Sequence, residues 1–468
     1  MLCDRLKDLE KEKRYPFHMP GHKRNPGAEP LAQTMAIDIT EIDGFDDLHN
    51  ASGIIKEAQE RAAALYGSEE CRYLVNGSTA GVLAAVSAVL CGRDKPFILA
   101  GKGSHISLYH AAYLNDAAID TLWERRISSR GVNIPGVADP GDVKEHLEQA
   151  SAGGLLPAAV FVTDPNYYGV VADTCEIVRI AHGYGVPVIV DAAHGAHFGF
   201  KDMPGSAVQA GADLVIMSVH KTLPCLTQTA LLHMQGELIR KDIAYRFLRI
   251  YQTSSPSYVL MSSIESGLKT MADGDGWSGR LLTFRQRIRE GAKDLEHLTI
   301  LPDDIAGDPC KLVISTIESS ISGYELHRRL LEEYALQAEM ADTDNVVLII
   351  TGMDTEEGIS RLAKALKEID GSIGAGMASC MANASEMPRP SALMTIREAW
   401  DAPSEPVPLS EAAGRVCADM IVPYPPGTPA LVPGEQIDRE SVAFLETLIA
   451  EGCEIRGIDE NGFVHVIM

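Results

Sequence analysis

The chain has 468 residues, of which 46% are hydrophobic and 23% are charged, as is ordinary for a globular protein. At roughly 150 residues per domain, this length predicts two or three domains with a sizeable buried core. The 65 acidic and 41 basic residues give a formal net charge of −24. That charge disfavours nucleic acid and anionic membranes as partners and is compatible with a small cationic substrate.

The nine cysteines are scattered along the chain and include no Cys-x-x-Cys pair. This pattern argues against a disulfide framework or a zinc site, so no metal is expected, and it predicts a reducing, cytoplasmic location. The N-terminal stretch Met1–Phe17 is charged and has no apolar core, unlike a signal peptide. No apolar run reaches the roughly 18 residues needed to span a bilayer.

Residues 1–50 show little regular periodicity and predict an N-terminal arm. A helical pattern follows at Ile54–Tyr66, and apolar runs of strand length then alternate with helical stretches such as Thr79–Leu90 and Glu176–Tyr184. This alternation predicts an α/β fold with a doubly wound, mostly parallel sheet that is covered on both faces. The strand-length runs are Arg72–Val75, Pro96–Ala100, Ala158–Asp164, Pro187–Asp191, Ala212–Ser218 and Thr229–Met234.

A helical region extends to about Leu298, and the remainder of the chain has a different pattern. Lys311–Ser315 and Asn345–Thr351 are strand-like there, and the region predicts a smaller α+β domain. We therefore expect an arm at residues 1–50, a large α/β domain at 51–298 and a small C-terminal α+β domain at 299–468.

The segment Val75–Gly81, VNGSTAG, follows a predicted strand and opens a helix. Gly77, Ser78 and Thr79 offer backbone N–H and hydroxyl groups to a phosphate at that position. Ser and Thr are also the preferred residues of an ordinary N-cap, so the segment alone is compatible with both interpretations.

Two further polar residues follow predicted strands, at the place where α/β sheets hold their ligands. The flat imidazole of His105 is suited to stacking on a cofactor ring, although a polar loop histidine has the same pattern. Asp191 ends a wholly apolar strand, where a carboxylate is costly unless it is paired. A protonated pyridine nitrogen is one suitable partner, and an N-cap role for a following helix is the alternative.

Lys221 lies in SVHKTLPCLTQTALLH between two hydrophobic runs, with Ser218 and His220 beside it. A lysine in this setting is a candidate nucleophile for a Schiff base, and its two neighbours are candidates for phosphate binding. An ion-paired loop lysine is the alternative. Asp191 and Lys221 each follow an apolar strand. We expect one helical connection between the strands and both strand ends at the same edge of a parallel sheet.

The order Gly-Ser-Thr, His, Asp and Ser-x-His-Lys resembles the fold-type-I enzymes that use pyridoxal 5'-phosphate (PLP). The segment SVHKTLPCLTQ, with histidine directly before lysine, is similar to the Orn/Lys/Arg decarboxylase family. The resemblance covers about residues 15–440 and looks like the short form of Gram-positive bacteria, which implies no N-terminal wing domain. Other stretches similar to the family are Phe17–Arg24, Asp38–His49, Asp164–Gly169, Gln252–Glu265 and Pro423–Glu435.

The resemblance implies a role for each matching residue. Lys221 is the expected Schiff-base lysine, Asp191 the partner of the pyridine nitrogen, and His105 the residue that stacks on the ring. His194 is expected beside the cofactor. The residues expected to contact the phosphate or its surroundings are Ser78, Thr79, Ser218 and His220.

Ser254 and Ser255 are expected to reach the cofactor of a neighbouring subunit, which implies at least a homodimer. The chain departs from the family at two positions near the predicted site. Family members commonly have Lys where this chain has Ile106, and Glu where it has Ala192. The missing lysine and glutamate bear on which substrate is used.

The family implies α-decarboxylation of a basic amino acid to a di- or polyamine precursor, with Lys221 or His220 returning a proton to Cα. Arginine is favoured over lysine and ornithine because the short form resembles biosynthetic arginine decarboxylases. A cationic substrate tail is expected to pair with a carboxylate. For each candidate carboxylate, the alternative is that it belongs to a solvated acidic loop and does not bind substrate. The candidates lie in the acidic segment Ile39–Asn50 and are Glu41, Asp43, Asp46 and Asp47.

Two other functions remain compatible with the sequence. One is another fold-type-I reaction such as transamination, for which Arg389 and Arg397 are available to hold a substrate carboxylate. The other is a non-catalytic protein that keeps the fold, which the intact Lys221, Asp191 and His105 argue against.

Overall fold

The computed structural model describes residues 1–12, 19–20, 23, 31–273, 275–376, 387–424, 427–450 and 452–468. Most of the family-like segment Phe17–Arg24 lies outside the described residues, as do Pro425 and Pro426 of the family-like segment Pro423–Glu435. Across the described ranges, no helix combines the length and the apolar character that a membrane span requires.

Sixteen α-helices and seventeen strands lie in the described ranges, with short 3-10 helices at Leu48–Asn50 and Leu409–Glu411. The helices are α1 Leu2–Lys11, α2 Ala32–Ile37, α3 Ile54–Tyr66, α4 Gly77–Leu90, α5 Ile106–Asn115, α6 Pro140–Ala152, α7 Thr174–Gly183, α8 Val219–Thr222, α9 Lys241–Tyr251, α10 Tyr258–Ala272, α11 Asp275–Gly291, α12 Asp303–Ala306, α13 Gly323–Tyr334, α14 Glu356–Asp370, α15 Ile396–Trp400 and α16 Arg439–Ala450. The strands are β1 Glu70–Leu74, β2 Phe97–Gly101, β3 Ala118–Leu122, β4 Arg126–Ser129, β5 Val132–Pro135, β6 Val160–Thr163, β7 Val188–Asp191, β8 Leu214–Met217, β9 Ala230–Met234, β10 Thr299–Ile300, β11 Lys311–Ser315, β12 Met340–Ala341, β13 Asn345–Ile349, β14 Ser404–Pro408, β15 Val422–Tyr424, β16 Glu454–Arg456 and β17 Phe463–Ile467.

The chain divides into two compact units, which do not follow a single cut along the sequence. The first unit comprises residues 1–91 and 174–277, and the second comprises residues 92–173 and 278–468. The domain boundaries expected at residues 50 and 298 stay a prediction.

The four strands of the first unit pair in the order β1-β9-β8-β7. β7 and β8 are parallel, with Asp191 beside Ile216, while β9 is antiparallel to both β8 and β1. β1 is therefore parallel to β7 and β8. The carboxyl ends of these three strands consequently lie at one edge, together with the start of β9.

α4 covers the strands of the first unit because it is apolar on almost every side. It packs against β8 and β9 and lies along α9. A Cβ at Gly81 would lie only 2.6 Å from Leu74 and 3.0 Å from Ile216, so the absence of a side chain there permits the close approach of the helix to the strands.

The connection between β7 and β8 was predicted to contain a helix, and this prediction was wrong. The described residues 192–213 form a succession of turns. Gly199 within this connection has φ +86°, a left-handed conformation that interrupts a right-handed helical path.

The N-terminal region was predicted to lack regular periodicity, and this prediction was wrong for α1. Leu2, Leu6 and Leu9 are buried on one face of α1, which packs against α10. The backbone N–H of Leu2 donates to the buried carboxylate of Glu265 at 2.7 Å. The apolar stripe contains only three residues, and the charged residues between them obscure the pattern in the sequence.

In the second unit, β2 pairs in parallel with both β3 and β6. A separate antiparallel sheet has the order β10-β11-β13-β12, and its central strands confirm the two strands predicted in the C-terminal region. Three two-stranded pairs complete the unit, namely β4 with β5, β14 with β17 and β15 with β16.

A buried ion pair joins two distant segments of the second unit. Lys102, directly after β2, lies 3.0 Å from Glu435, and the two side chains are only 3% and 5% exposed. Glu435 also accepts a hydrogen bond from the backbone N–H of Val432 at 2.8 Å. Each charge thus has its partner inside the protein, where an unpaired charge is very costly.

His233 lies in the middle of β9, between Cys71 of β1 and Val215 of β8. Its side chain is buried, and its Nδ1 lies 2.9 Å from the hydroxyl oxygen of Ser68. Burial lowers the pKa of His233 to about 3, so the folded protein holds the neutral imidazole.

We therefore expect His233 to make the protein sensitive to acid. Its folded pKa of about 3 lies below the ordinary value of 6.5, so its contribution to the free energy of unfolding is complete above about pH 6.5. That contribution is lost as the pH falls from there towards 3. The decrease in melting temperature between about pH 7 and about pH 5 should be smaller in His233→Gln than in the unsubstituted protein. Equal decreases in the two proteins would contradict this role.

Candidate active site

Four segments of the first unit bring polar groups to the edge where β1, β7 and β8 end. α4 begins at Gly77 after β1, Asp191 is the last residue of β7, and α8 follows β8 and carries Lys221. Thr229 lies at the same edge because it immediately precedes β9. The sheet topology thus gathers residues that are far apart in the sequence.

Lys221 and His194 are in direct contact at this edge. The Nζ atom of Lys221 lies 3.1 Å from Nε2 of His194. Because an ammonium group can only donate, Nε2 of His194 accepts when Lys221 is charged. His194 is buried and Lys221 is half-buried, so the pair is shielded from much of the solvent.

Asp191 presents a buried carboxylate at the end of β7. One carboxylate oxygen accepts the backbone N–H of Ala193 at 3.1 Å, a local turn of the kind that aspartate often forms. The alternative interpretation of Asp191 as a helix N-cap does not apply, because turns follow β7.

The orientation of His220 is set by the residue before β9. Its Nδ1 lies 2.8 Å from the carbonyl oxygen of Thr229, and because a carbonyl can only accept, Nδ1 carries the proton. Burial lowers the pKa of His220, the hydrogen bond to Thr229 opposes this effect, and the neighbouring Lys221 lowers the pKa further. His220 is therefore neutral at pH 7, with a lone pair on Nε2.

Two hydroxyl groups on either side of Lys221 are buried without an internal partner. Neither Ser218 Oγ nor Thr222 Oγ1 has a hydrogen-bond partner among the described residues. Ser218 is fully buried and precedes α8, but its side chain does not cap that helix. Buried hydroxyls in this state are uncommon, and a bound polar group would satisfy them.

The N-terminus of α4 is open at the same edge. Gly77 has φ +76°, and the residue before it, Asn76, makes no capping hydrogen bond to the helix. Ser78 is half-buried and Thr79 is exposed. The first backbone N–H groups of this 14-residue helix, together with its dipole, are suited to an anion.

His105 belongs to the second unit, where it is exposed directly before α5. Its Nδ1 accepts the backbone N–H of Ser107 at 3.3 Å and lies 2.9 Å from the hydroxyl oxygen of that residue. These contacts orient the imidazole ring. Its expected stacking on a cofactor stays a prediction.

Asp46 in the acidic segment serves the start of α3. Its carboxylate oxygens accept five backbone N–H groups at 2.8–3.3 Å, those of Asp47, Ser52, Gly53, Ile55 and Lys56. Partial burial raises the pKa of Asp46, but these N–H groups outweigh that effect and keep the pKa below its usual value. The oxygens of Asp46 are therefore engaged. The exposed carboxylates of Glu41 and Asp43 are more accessible to a substrate.

The remaining residues singled out in the sequence lie in a loop, directly after a strand and at the start of a helix. Ser254 and Ser255 are exposed in the loop that follows α9, and their contact with a neighbouring subunit stays a prediction. Ala192 is buried, and its backbone N–H donates to Ile216 in β8. Ile106 is the half-buried first residue of α5.

Three further residues belong to this edge and were not predicted, namely Thr222, Gln228 and Thr229. All three lie within the segment SVHKTLPCLTQT, which had been singled out for its resemblance to a family. The signal was therefore present, but only the antiparallel start of β9 explains why residues after the lysine return to the same edge.

Comparisons with solved structures define the class of fold. The lysine decarboxylase LdcF of Francisella novicida superimposes with a TM-score of 0.81 at 17% identity, covering 100% of this chain and 81% of that chain. A structure of SPT with PLP superimposes with a TM-score of 0.54 at 16% identity, covering 70% of this chain and 81% of that chain. The fold is that of the fold-type-I PLP-dependent enzymes with a smaller C-terminal domain, as predicted.

The chain belongs to the Orn/Lys/Arg decarboxylase family. The major domain of that family matches residues 2–358, and its C-terminal domain matches residues 378–460. The arginine decarboxylase of Bacillus subtilis strain 168 is 32% identical over 467 residues, covering 96% of this chain and 94% of that protein. The predicted family and the predicted class of enzyme, an amino-acid decarboxylase, are thereby confirmed.

We expect Asp46 and Asp43 to differ in what their removal does. Asp46→Ala removes the acceptor of five N–H groups and should lower the free energy of unfolding by about 1–2 kcal/mol, as the loss of a helix cap does. Asp43→Ala, at an exposed position of the same segment, should stay within about 0.5 kcal/mol. Urea unfolding of both variants measures this difference. A stable Asp46→Ala variant with a raised KM for substrate would assign Asp46 to binding instead.

Proposed function

We propose that this protein is a PLP-dependent α-decarboxylase of a basic amino acid, with arginine favoured over lysine and ornithine. We further propose that it acts in the cytoplasm as a homodimer or a larger homo-oligomer. The observation that carries the proposal is the contact of Lys221 with His194 at the edge that also holds Asp191. The 32% identity to an arginine decarboxylase supports the choice of substrate.

The side chains at this edge fit PLP. The cofactor requires a lysine, a phosphate site and a carboxylate for its ring nitrogen. Lys221 and the buried Asp191 meet two of these requirements, and the open N-terminus of α4 meets the third. The unpartnered hydroxyls of Ser218 and Thr222 provide additional hydrogen-bonding groups.

Each of these residues would have a distinct task. Lys221 would hold the cofactor through Nζ, Asp191 would keep the ring nitrogen protonated, and His105 would stack on the ring. When bound, PLP supplies the electron sink for the electron pair that remains at Cα after CO2 departs.

The geometry favours Lys221 over His220 as the proton donor to Cα. His220 is neutral at pH 7, and its one ring proton is engaged with the carbonyl of Thr229. Lys221 carries a proton on Nζ when it is charged, and His194 lies within hydrogen-bond distance of it. Transfer of that proton from Nζ to Cα completes the replacement of the carboxylate by hydrogen.

The substrate tail would be held by carboxylates of the acidic segment. Glu41 and Asp43 are exposed there and available to a cation. A guanidinium group pairs best with a carboxylate that accepts two parallel hydrogen bonds, whereas an ammonium needs only a point charge. The net charge of −24 also favours the approach of a cationic substrate.

Lys221→Ala tests this function directly. The unsubstituted protein, reconstituted with PLP, should show a visible absorption band and release CO2 from arginine, and reduction with borohydride should fix the cofactor on Lys221 in peptide mass spectra. Lys221→Ala should lose the band and the CO2 because Nζ is the covalent attachment point. Lys269→Ala, an exposed lysine on α10, is the matched control and should keep both.

The other outcomes discriminate between functions. CO2 release from lysine or ornithine rather than arginine would correct the substrate only. A visible band without CO2 from any of the three would remove the decarboxylase proposal, and formation of a keto acid would then indicate transamination. A protein that takes up no PLP would contradict the cofactor.

A further inference from the structure

The residue that precedes α4 does not cap the helix, although its type is among the best for that purpose. Asparagine at an N-cap ordinarily accepts one of the first backbone N–H groups of a helix. Here Oδ1 of Asn76 instead accepts the backbone N–H of Thr253 at 3.3 Å. The N–H group of α4 that this side chain would otherwise occupy is thus left to another acceptor.

The peptide groups on both sides of Val75 are held by glutamine side chains. Oε1 of Gln252 accepts the N–H of Val75 at 2.8 Å, and Nε2 of Gln228 donates to the carbonyl of Val75 at 2.6 Å. Gln252 is buried, so its bond to Val75 is protected from water. Val75 is the last residue before the turn at Asn76 and Gly77, so its position sets the path from β1 into α4.

The packing of α9 on α4 explains why Gln252 and Thr253 reach this turn. The two helices lie against each other, and the hydroxyl oxygens of Ser87 and Tyr251 are 3.1 Å apart. α9 ends at Tyr251, so the next two residues face the turn between β1 and α4. The carbonyl of Thr253 also accepts a hydrogen bond from Nε2 of His49 at 2.7 Å, which fixes the segment from its other side.

We propose that Gln252 and Thr253 are positioning residues that keep the N-terminus of α4 open for the phosphate group of PLP. This inference rests on the proposed function. Thr253 diverts the asparagine that would otherwise cap the helix, and Gln252 fixes the peptide from which the turn departs. Both effects direct free backbone N–H groups towards an anion without contacting it.

Comparison of PLP with pyridoxal, which lacks the phosphate, tests this role. In Gln252→Ala, the affinity of the apoenzyme for PLP should fall about tenfold while its affinity for pyridoxal stays unchanged. Asn76→Ser should have the same effect, because serine caps a helix well but is shorter than asparagine. Since that cap stabilises α4, the melting temperature of the Asn76→Ser apoenzyme should not fall.

Gln235→Ala is the matched control. Like Gln252, Gln235 is hydrogen-bonded to the backbone through its side-chain amide, donating to the carbonyls of Val208 and Ala212, but it follows β9 at the opposite edge of the same strands. Its removal should lower the melting temperature and leave the ratio of PLP to pyridoxal affinity unchanged.

The outcomes separate this inference from the proposed function. An unchanged ratio in Gln252→Ala and Asn76→Ser, with tight PLP binding by the unsubstituted protein, would overturn the inference and leave the function standing. An equal loss of affinity for both ligands would show a general structural role and would also overturn it. Should Gln252→Ala not fold, the ratio in Asn76→Ser decides alone. Failure of the unsubstituted protein to bind PLP would overturn both proposals.

Discussion

The parallel pairing of β7 with β8 is the constraint on which the candidate site depends. Parallel strands end at the same edge, so the residues that follow β7 and β8 meet although about twenty residues of chain separate the two strands. β9 is antiparallel to both β8 and β1, so β1 runs parallel to β8 and ends at the same edge. A single pattern of strand pairing thus places a carboxylate, a lysine and an open helix N-terminus together.

The candidate residues differ in how their hydrogen bonds are used. His220 and Asp46 are occupied by backbone groups, which makes them parts of the scaffold as well as candidates for chemistry. Lys221 faces the ring nitrogen of His194, and the hydroxyls of Ser218 and Thr222 have no partner among the described residues. The proposed roles of the residues follow this difference, because a group that is already hydrogen-bonded to the backbone has fewer donors or acceptors left for a ligand.

The sequence predicted those parts of the structure that depend on local pattern. Apolar runs located β7 and β8, and the order of Asp191 and Lys221 along the chain located the edge. The prediction of a helix between those strands was wrong. The turns of residues 192–213 depend on interactions that a pattern of apolar residues does not encode. Gln252 and Asn76 were missed for a related reason: their partners lie about 180 residues away in the sequence and become neighbours only through the packing of α9 on α4.

The ion pair of Lys102 and Glu435 bears on how the chain is divided. Lys102 lies in the segment that matches the family's major domain, and Glu435 lies in the segment that matches its C-terminal domain. A major domain expressed alone would leave a buried ammonium without its counter-ion, and the penalty for such a charge is several kcal/mol. The C-terminal segment is therefore an integral part of the folding unit rather than a detachable module. Recombination between relatives at a point between these two residues keeps Lys102 and Glu435 paired only where both parents carry the pair.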